Sequence, residues 1–152
     1  MREWASLHHL DINLVATVMQ IESCGDPAAV SSAGAMGLFQ VMPFHFQEGE
    51  NPFDPEDNAR RGLSYLASCL ARANGDVALA LAAYNGGQSL LAVPPEQWPA
   101  ETQRYVLWGT SILREVRAEA GFSPTLQQWL ADGGATLCHR AETNIGQAAS
   151  PP

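Results

Sequence analysis

Glu22 closes a stretch in which Leu14, Val15, Val18 and Met19 recur at helical spacing, so its side chain shares the inward face. A lone Glu near a helix end is more often a solvated surface group, and the apolar face argues against that here. The residue also lies at the negative end of the helix, where a carboxylate is disfavoured. Burial and the helix dipole both raise a carboxyl pKa. A carboxyl kept protonated near neutral pH is what a general acid requires.

Two further clusters carry polar groups where packing alone would not put them. In Gly34-Ala-Met-Gly-Leu-Phe-Gln-Val-Met-Pro43, Met36, Leu38 and Val41 suit a buried segment, but Gln40 is an amide among apolar neighbours. It needs hydrogen-bond partners, in the core or on a ligand. Gly34 and Gly37 would let backbone or ligand approach closely. In Ala82-Ala-Tyr-Asn-Gly-Gly87, the simplest reading is a helix stop at Asn-Gly. Tyr84 adds a ring face and a hydroxyl, suited to stacking on a sugar or holding a carboxyl group.

The elements that must position these residues are helices. No segment alternates apolar and polar residues long enough to be a strand. Asp11 caps a first helix that ends near Ser23 to Gly25, followed by a turn-rich loop to Gly34 and a short helix over Ala35 to Val41. Asp54-Pro55-Glu56-Asp57 is the strongest start signal and opens a helix to about Ala73. Asp76 caps a central, Ala-rich helix through about Tyr84. A long helix follows from about Ala100 to Ala120, with Tyr105, Trp108, Ile112 and Val116 spaced for burial. Ser123-Pro124 starts a short helix to about Leu130, and Asn144 to Pro152 reads as a disordered tail.

Composition narrows the field. The 152 residues suit one domain, and 46% hydrophobic content supports a core. The longest apolar run, Val77 to Tyr84, is far short of the ~20 residues a membrane span needs. Net charge is −8, and scattered Arg with no Lys argues against nucleic acid or anionic membranes as partners. Neither the three Cys nor the four His are spaced as metal ligands, so no metal is expected. The odd Cys count leaves at most one disulfide and one free thiol. The N-terminus shows no signal-peptide pattern.

Taken in order, Glu22-Ser23, the Gly34 to Pro43 segment and Ala83-Tyr-Asn-Gly-Gly87 strongly resemble the soluble lytic transglycosylase domain family, related to goose-type lysozyme. Asn51-Pro-Phe-Asp-Pro-Glu-Asp-Asn58 with Gly62 and Tyr65-Leu66, and Glu101-Thr-Gln-Arg-Tyr105, extend the resemblance from about Leu14 to Leu113. It implies an all-α, lysozyme-like single domain with a sugar-binding groove, over residues 1–143. It implies Glu22 as the catalytic acid and Ser23 as the neighbour that helps orient acid or substrate. Met36, Phe39 and Gln40 match the groove lip. Tyr84, Asn85, Glu101 and Tyr105 match substrate-binding positions. The implied partner is a peptidoglycan glycan strand, cut at the β-1,4 bond between N-acetylmuramic acid and N-acetylglucosamine, with no cofactor, by a monomer acting outside the cytoplasm. Gly86-Gly87 departs from the Ala-Gly of many relatives, and the chain from Gly121 has no family counterpart.

Ordinary glycosidases use two carboxylates. Asp26, before Pro27, reads as a turn-former, and Glu101 as a cap or substrate contact. The resemblance therefore implies that Glu22 protonates the glycosidic oxygen. It then takes the proton of the muramic C6 hydroxyl as a 1,6-anhydro ring closes. A lysozyme-type hydrolase of the same fold and a non-catalytic glycan-binding module are the alternatives. In the resembling fold the helices carrying Cys24 and Cys69 run close together, which makes these two the candidate disulfide. Closing a loop of about 45 residues would contribute about 3–4 kcal/mol. The alternative is three small buried thiols.

Overall fold

A computed structural model describes residues 1–118 and 122–148. The chain folds as helices α1 (Arg2–Leu7), α2 (Ile12–Ser23), α3 (Pro55–Arg72), α4 (Val77–Gly86), α5 (Ala100–Ala118), α6 (Pro124–Trp129) and α7 (Ala135–Ala148). Among the described residues the only β pairing is two isolated bridges, Val30 with Met36 and Met36 with Val41. The expected all-α architecture is the observed one. No helix among the described residues is long and apolar enough to cross a membrane.

The helix starts follow from local chemistry. Carboxylates of Asp11, Asp54 and Asp76 accept backbone N–H groups of their first turns, and the Ser123 hydroxyl does the same for α6. Each satisfies donors that a helix N-terminus otherwise leaves unpaired. Helix α2 ends at Cys24, in the left-handed region at φ 52°.

Leu14, Val15 and Val18 of α2 meet Phe39, Leu63 and Leu66 of the loop and α3, Leu81 of α4 and Leu113 of α5 in one buried core. Helix α4 is sandwiched between α3 and α5, and its Ala80, Ala82 and Ala83 are fully buried. On α5, Gly109 admits this close approach: a Cβ there would lie 2.8 Å from the Leu81 Cδ1.

Three expectations need correction. The segment Ala35 to Val41 is not a helix. Gly37 and Gln40 both take positive φ, 73° and 46°, which bends the chain into a tight loop. The loop's backbone groups are met instead by Asn58, fully buried on α3. Its amide accepts from Phe39 N–H at 2.9 Å and donates to the Met36 and Pro52 carbonyls at 2.8 Å each. A Cβ on Gly37 would sit 2.3 Å from that amide nitrogen, so the loop and Asn58 fit only with glycine there.

The C-terminal tail is the second correction. After α6 the chain kinks at Gly133 (φ 124°) and α7 continues to Ala148, through the first residues of the expected tail. Residues 149–152 lie outside the described residues. Polarity misled the sequence reading: α7 buries only a narrow stripe, with Ala141 at 2% exposure.

The third correction is the disulfide. Cys24 bonds Cys138 on α7, and Cys69 is a free, buried thiol. Cys69 instead packs with Ala73, Ala80 and Ala83 between α3 and α4. It behaves there as a small hydrophobe. The sequence alone gave α7 no place, so it could not offer Cys138 as the partner.

Candidate active site

Glu22 occupies the last turn of α2 and opens onto a groove with cavities on both sides. One, about 330 Å³, is bordered by Glu22, Gln40, Tyr65, Tyr84, Asn85 and Glu101 among others. The second, about 230 Å³, is bordered by Glu22, Asn85, Glu101, Arg104, Tyr105 and Trp108. Glu22, Asn85 and Glu101 border both, so the carboxyl sits where the two cavities meet. A chain-like ligand lying along the groove would pass it on either side.

Tyr105 on α5 donates its hydroxyl hydrogen to Glu22 Oε1 at 2.7 Å. The surrounding protein excludes most solvent, and burial pushes the Glu22 carboxyl up to about 7 from an ordinary 4.5. The Tyr105 hydrogen bond pulls the other way, and the nearby Glu101 charge adds to the rise. The result is a carboxyl that carries a proton through much of the neutral range, as a general acid must. The Tyr105 hydroxyl is itself pushed well upward, first by burial and then by Glu22, and so remains a donor.

The other residues singled out from sequence divide into those on the groove and those beneath it. Asn85, at the end of α4, borders the groove, and its Oδ1 accepts from the buried Thr102 hydroxyl at 2.8 Å. Thr102 fixes the amide, leaving the NH2 end to a ligand. Glu101 stands exposed in the first turn of α5. Tyr84 borders the groove while its hydroxyl donates to the Phe39 carbonyl at 2.7 Å, so the hydroxyl is engaged in holding the loop. Gln40 borders the groove too, but its NH2 donates to the Gly37 and Ala29 carbonyls.

The Ser23 and Phe39 side chains are buried and do not face the groove. Ser23 is completely buried, and its hydroxyl donates to the Leu38 carbonyl at 2.7 Å, pinning the loop to the end of α2. Phe39 is completely buried against Trp4 and α3, and only its carbonyl serves the site. Met36 is partly exposed, and its backbone pairs with Val41. The expected groove roles of these residues come from the family resemblance; in the folded chain Phe39 is buried between the left-handed Gly37 and Gln40.

Aromatic rings also border the groove. Phe44, His45, Tyr65 and Tyr84 form a row of rings, with centroids 4.5, 5.0 and 5.6 Å apart. Phe44 is 75% exposed at the rim. The signal lay in the Phe44-His45 pair directly after Pro43, where two rings in an exposed turn have no packing reason. The Gly86 departure also has a local cause: a Cβ there would meet the Leu90 Cδ1 at 2.3 Å. Asp26 is buried and accepts from Ala28 N–H and the Asn144 amide, consistent with a turn rather than a second catalytic carboxylate. Among the described residues no group of three His, Cys, Asp or Glu is placed to hold a metal.

The model of the transglycosylase SLT domain matches residues 1–105. Among curated proteins, a transglycosylase of Enterobacteria phage PRD1 is 41% identical over 100 residues, covering 64% of this chain and 36% of the phage protein. The membrane-bound lytic murein transglycosylase C of Haemophilus influenzae strain PittEE is 36% identical over 78 residues, covering 43% of this chain and 22% of that protein. The chain thus spans little more than a third of these relatives' length at most. Among solved structures, an inactive mutant of the lytic transglycosylase Slt from Pseudomonas aeruginosa superposes with a TM-score of 0.63 at 24% identity. The superposition covers 76% of this chain and 24% of that one, and the likeness shows the shared lysozyme-like fold.

Proposed function

The chain belongs to the transglycosylase SLT domain family, and on that premise we propose that it is a peptidoglycan lytic transglycosylase. It cleaves the β-1,4 bond between N-acetylmuramic acid and N-acetylglucosamine without water, leaving a 1,6-anhydromuramic end. The observation that carries this reading is the raised Glu22 carboxyl, held by Tyr105 at the junction of the two cavities.

Protonated Glu22 gives its proton to the glycosidic oxygen as the bond to the muramic anomeric carbon breaks. The substrate's own acetamido group stabilises the positive charge at that carbon. Glu22, now a carboxylate, accepts the proton of the C6 hydroxyl as its oxygen bonds the anomeric carbon. The donor is thereby regenerated, and one residue performs both transfers. Tyr105 keeps the carboxyl aimed through both, and Asn85 hydrogen-bonds the sugar acetamido groups. The ring row from Phe44 to Tyr84 offers apolar faces to the pyranose rings. The exposed Glu101 binds sugar hydroxyls and keeps the local field negative. A peptidoglycan substrate puts the site of action outside the cytoplasm. Glu22 and the residues bordering both cavities come from one chain, which supports a monomer as the acting form.

Digestion of purified peptidoglycan followed by mass spectrometry tests the reading. Muropeptides should carry 1,6-anhydro ends, one water lighter than hydrolysis products. Products with only reducing ends would make the chain a muramidase, and no cleavage at all would make it a binding module.

A further inference from the structure

Helix α7 lies beyond the family match, which ends at residue 105, yet it is fastened to the chain that follows the catalytic carboxyl. Two residues after Glu22, Cys24 caps α2 in a left-handed conformation and is bonded to Cys138. Four residues after Glu22, buried Asp26 accepts from the Asn144 amide at 2.7 Å, its other oxygen holding Ala28 N–H. Gln20, one turn before the cap, places its amide nitrogen 3.2 Å from the Cys24 sulfur and 3.4 Å from the Cys138 sulfur. Cys138, Ala141 and Asn144 recur every three residues, so they lie on one face of α7. That face meets α2 at little else: most of α7 is exposed, and Ala141 is its buried centre.

The last turn of a helix is its least constrained part, because its carbonyls lack intrahelical partners. Here that turn must hold a carboxyl in line with Tyr105 at 2.7 Å. We propose that α7 is a clamp for the general acid, with Cys138 and Asn144 as positioning residues that fix the end of α2 from outside the groove. The inference rests on Glu22 being the acid, but the fastening itself can be read without activity. The disulfide also makes the clamp openable. A small dithiol delivers two electrons and two protons, the sulfur–sulfur bond breaks to two thiols, and the dithiol becomes its own disulfide.

The test uses the full chain as wild type, Asn144→Ala, Cys138→Ala and the double variant. Turnover of purified peptidoglycan is measured across pH, and amide hydrogen exchange is followed by mass spectrometry. The wild type is also run after dithiothreitol and iodoacetamide. In the double variant, kcat should fall about tenfold or more, since an ångström of misplacement can cost as much as 10²-fold, while KM stays close to wild type. The basic limb of the kcat profile should move toward lower pH as water reaches Glu22. Exchange should quicken at residues 22–26 while α3 and α4 stay protected. Reduced, alkylated wild type should match Cys138→Ala. Unchanged kcat and unchanged exchange at residues 22–26 in the double variant would overturn the clamp. So would faster exchange spread evenly over all helices, which would mark α7 as a general stabiliser. Inactive wild type would defeat the transglycosylase reading, and exchange would still decide the clamp.

Discussion

At Glu22, catalysis and stability pull in opposite directions. Its carboxyl titrates near 7 in the folded chain against an ordinary 4.5. Below 4.5 both folded and unfolded chains hold the proton, and the group has no effect on stability. Between 4.5 and 7 the unfolded chain releases it first, so the folded state loses stability as pH rises, by about 3 kcal/mol once past 7. Glu22→Gln does not titrate. It should therefore unfold at higher urea than wild type above pH 7 and show no such gain below 4.5. The same variant should lose roughly 10²- to 10⁴-fold of the cleavage rate, because the amide cannot donate the proton. Wild-type cleavage should decline as pH rises through about 7, when the acid form is depleted. A folded Glu22→Gln protein that still cuts peptidoglycan at the wild-type rate would remove Glu22 from the mechanism.

The elements are tuned to one another around the loop between α2 and α3. Asn58 makes three hydrogen bonds to that loop from a position only 1% exposed. Asn58→Ala leaves the Phe39 N–H and the Pro52 carbonyl without partners and takes one of two donors from the Met36 carbonyl, at about 1–3 kcal/mol for each unsatisfied buried group. Denaturant unfolding should show a loss of several kcal/mol. Cleavage should suffer too, because the same loop carries Gln40 and receives the Tyr84 hydroxyl. A near-wild-type midpoint would mean that the loop is held elsewhere. The caps at Asp11, Asp54 and Asp76 could be read directly from sequence, since each depends only on residues one to three places away. The loop could not be read so. Its left-handed Gln40 is unusual for a side chain bearing a Cβ, and the loop around it is held from α3 by the bonds of Asn58 to Phe39, Met36 and Pro52.

Over the whole molecule, the bond between Cys24 and Cys138 spans a sequence separation of 114 residues. In the chain-entropy model a loop of that size contributes about 4–5 kcal/mol. The unreduced, denatured protein should show one free thiol, Cys69, and peptide mapping should join Cys24 to Cys138. Reduction should lower the melting temperature. A Cys24–Cys69 peptide, or three free thiols, would contradict this pairing.

Local chemistry by itself determined the helical class, the capped starts of α2, α3, α4 and α6, and the inward aim of Glu22, because the period of apolar residues and the first-turn hydrogen bonds involve only near neighbours. The order of the motifs supplied the family. What tertiary structure alone decided was which side chains face the groove. Phe39 is buried between the left-handed Gly37 and Gln40, Ser23 is buried where its hydroxyl meets the Leu38 carbonyl, and Phe44, His45 and Tyr65 join Tyr84 along the groove instead. It also decided the partner of Cys24, since α7 is polar along most of its surface and reveals its buried stripe only where α2 receives it. Hydrogen bonds and disulfides between residues far apart in sequence leave no periodic trace along the chain, so they become visible only once the helices are packed.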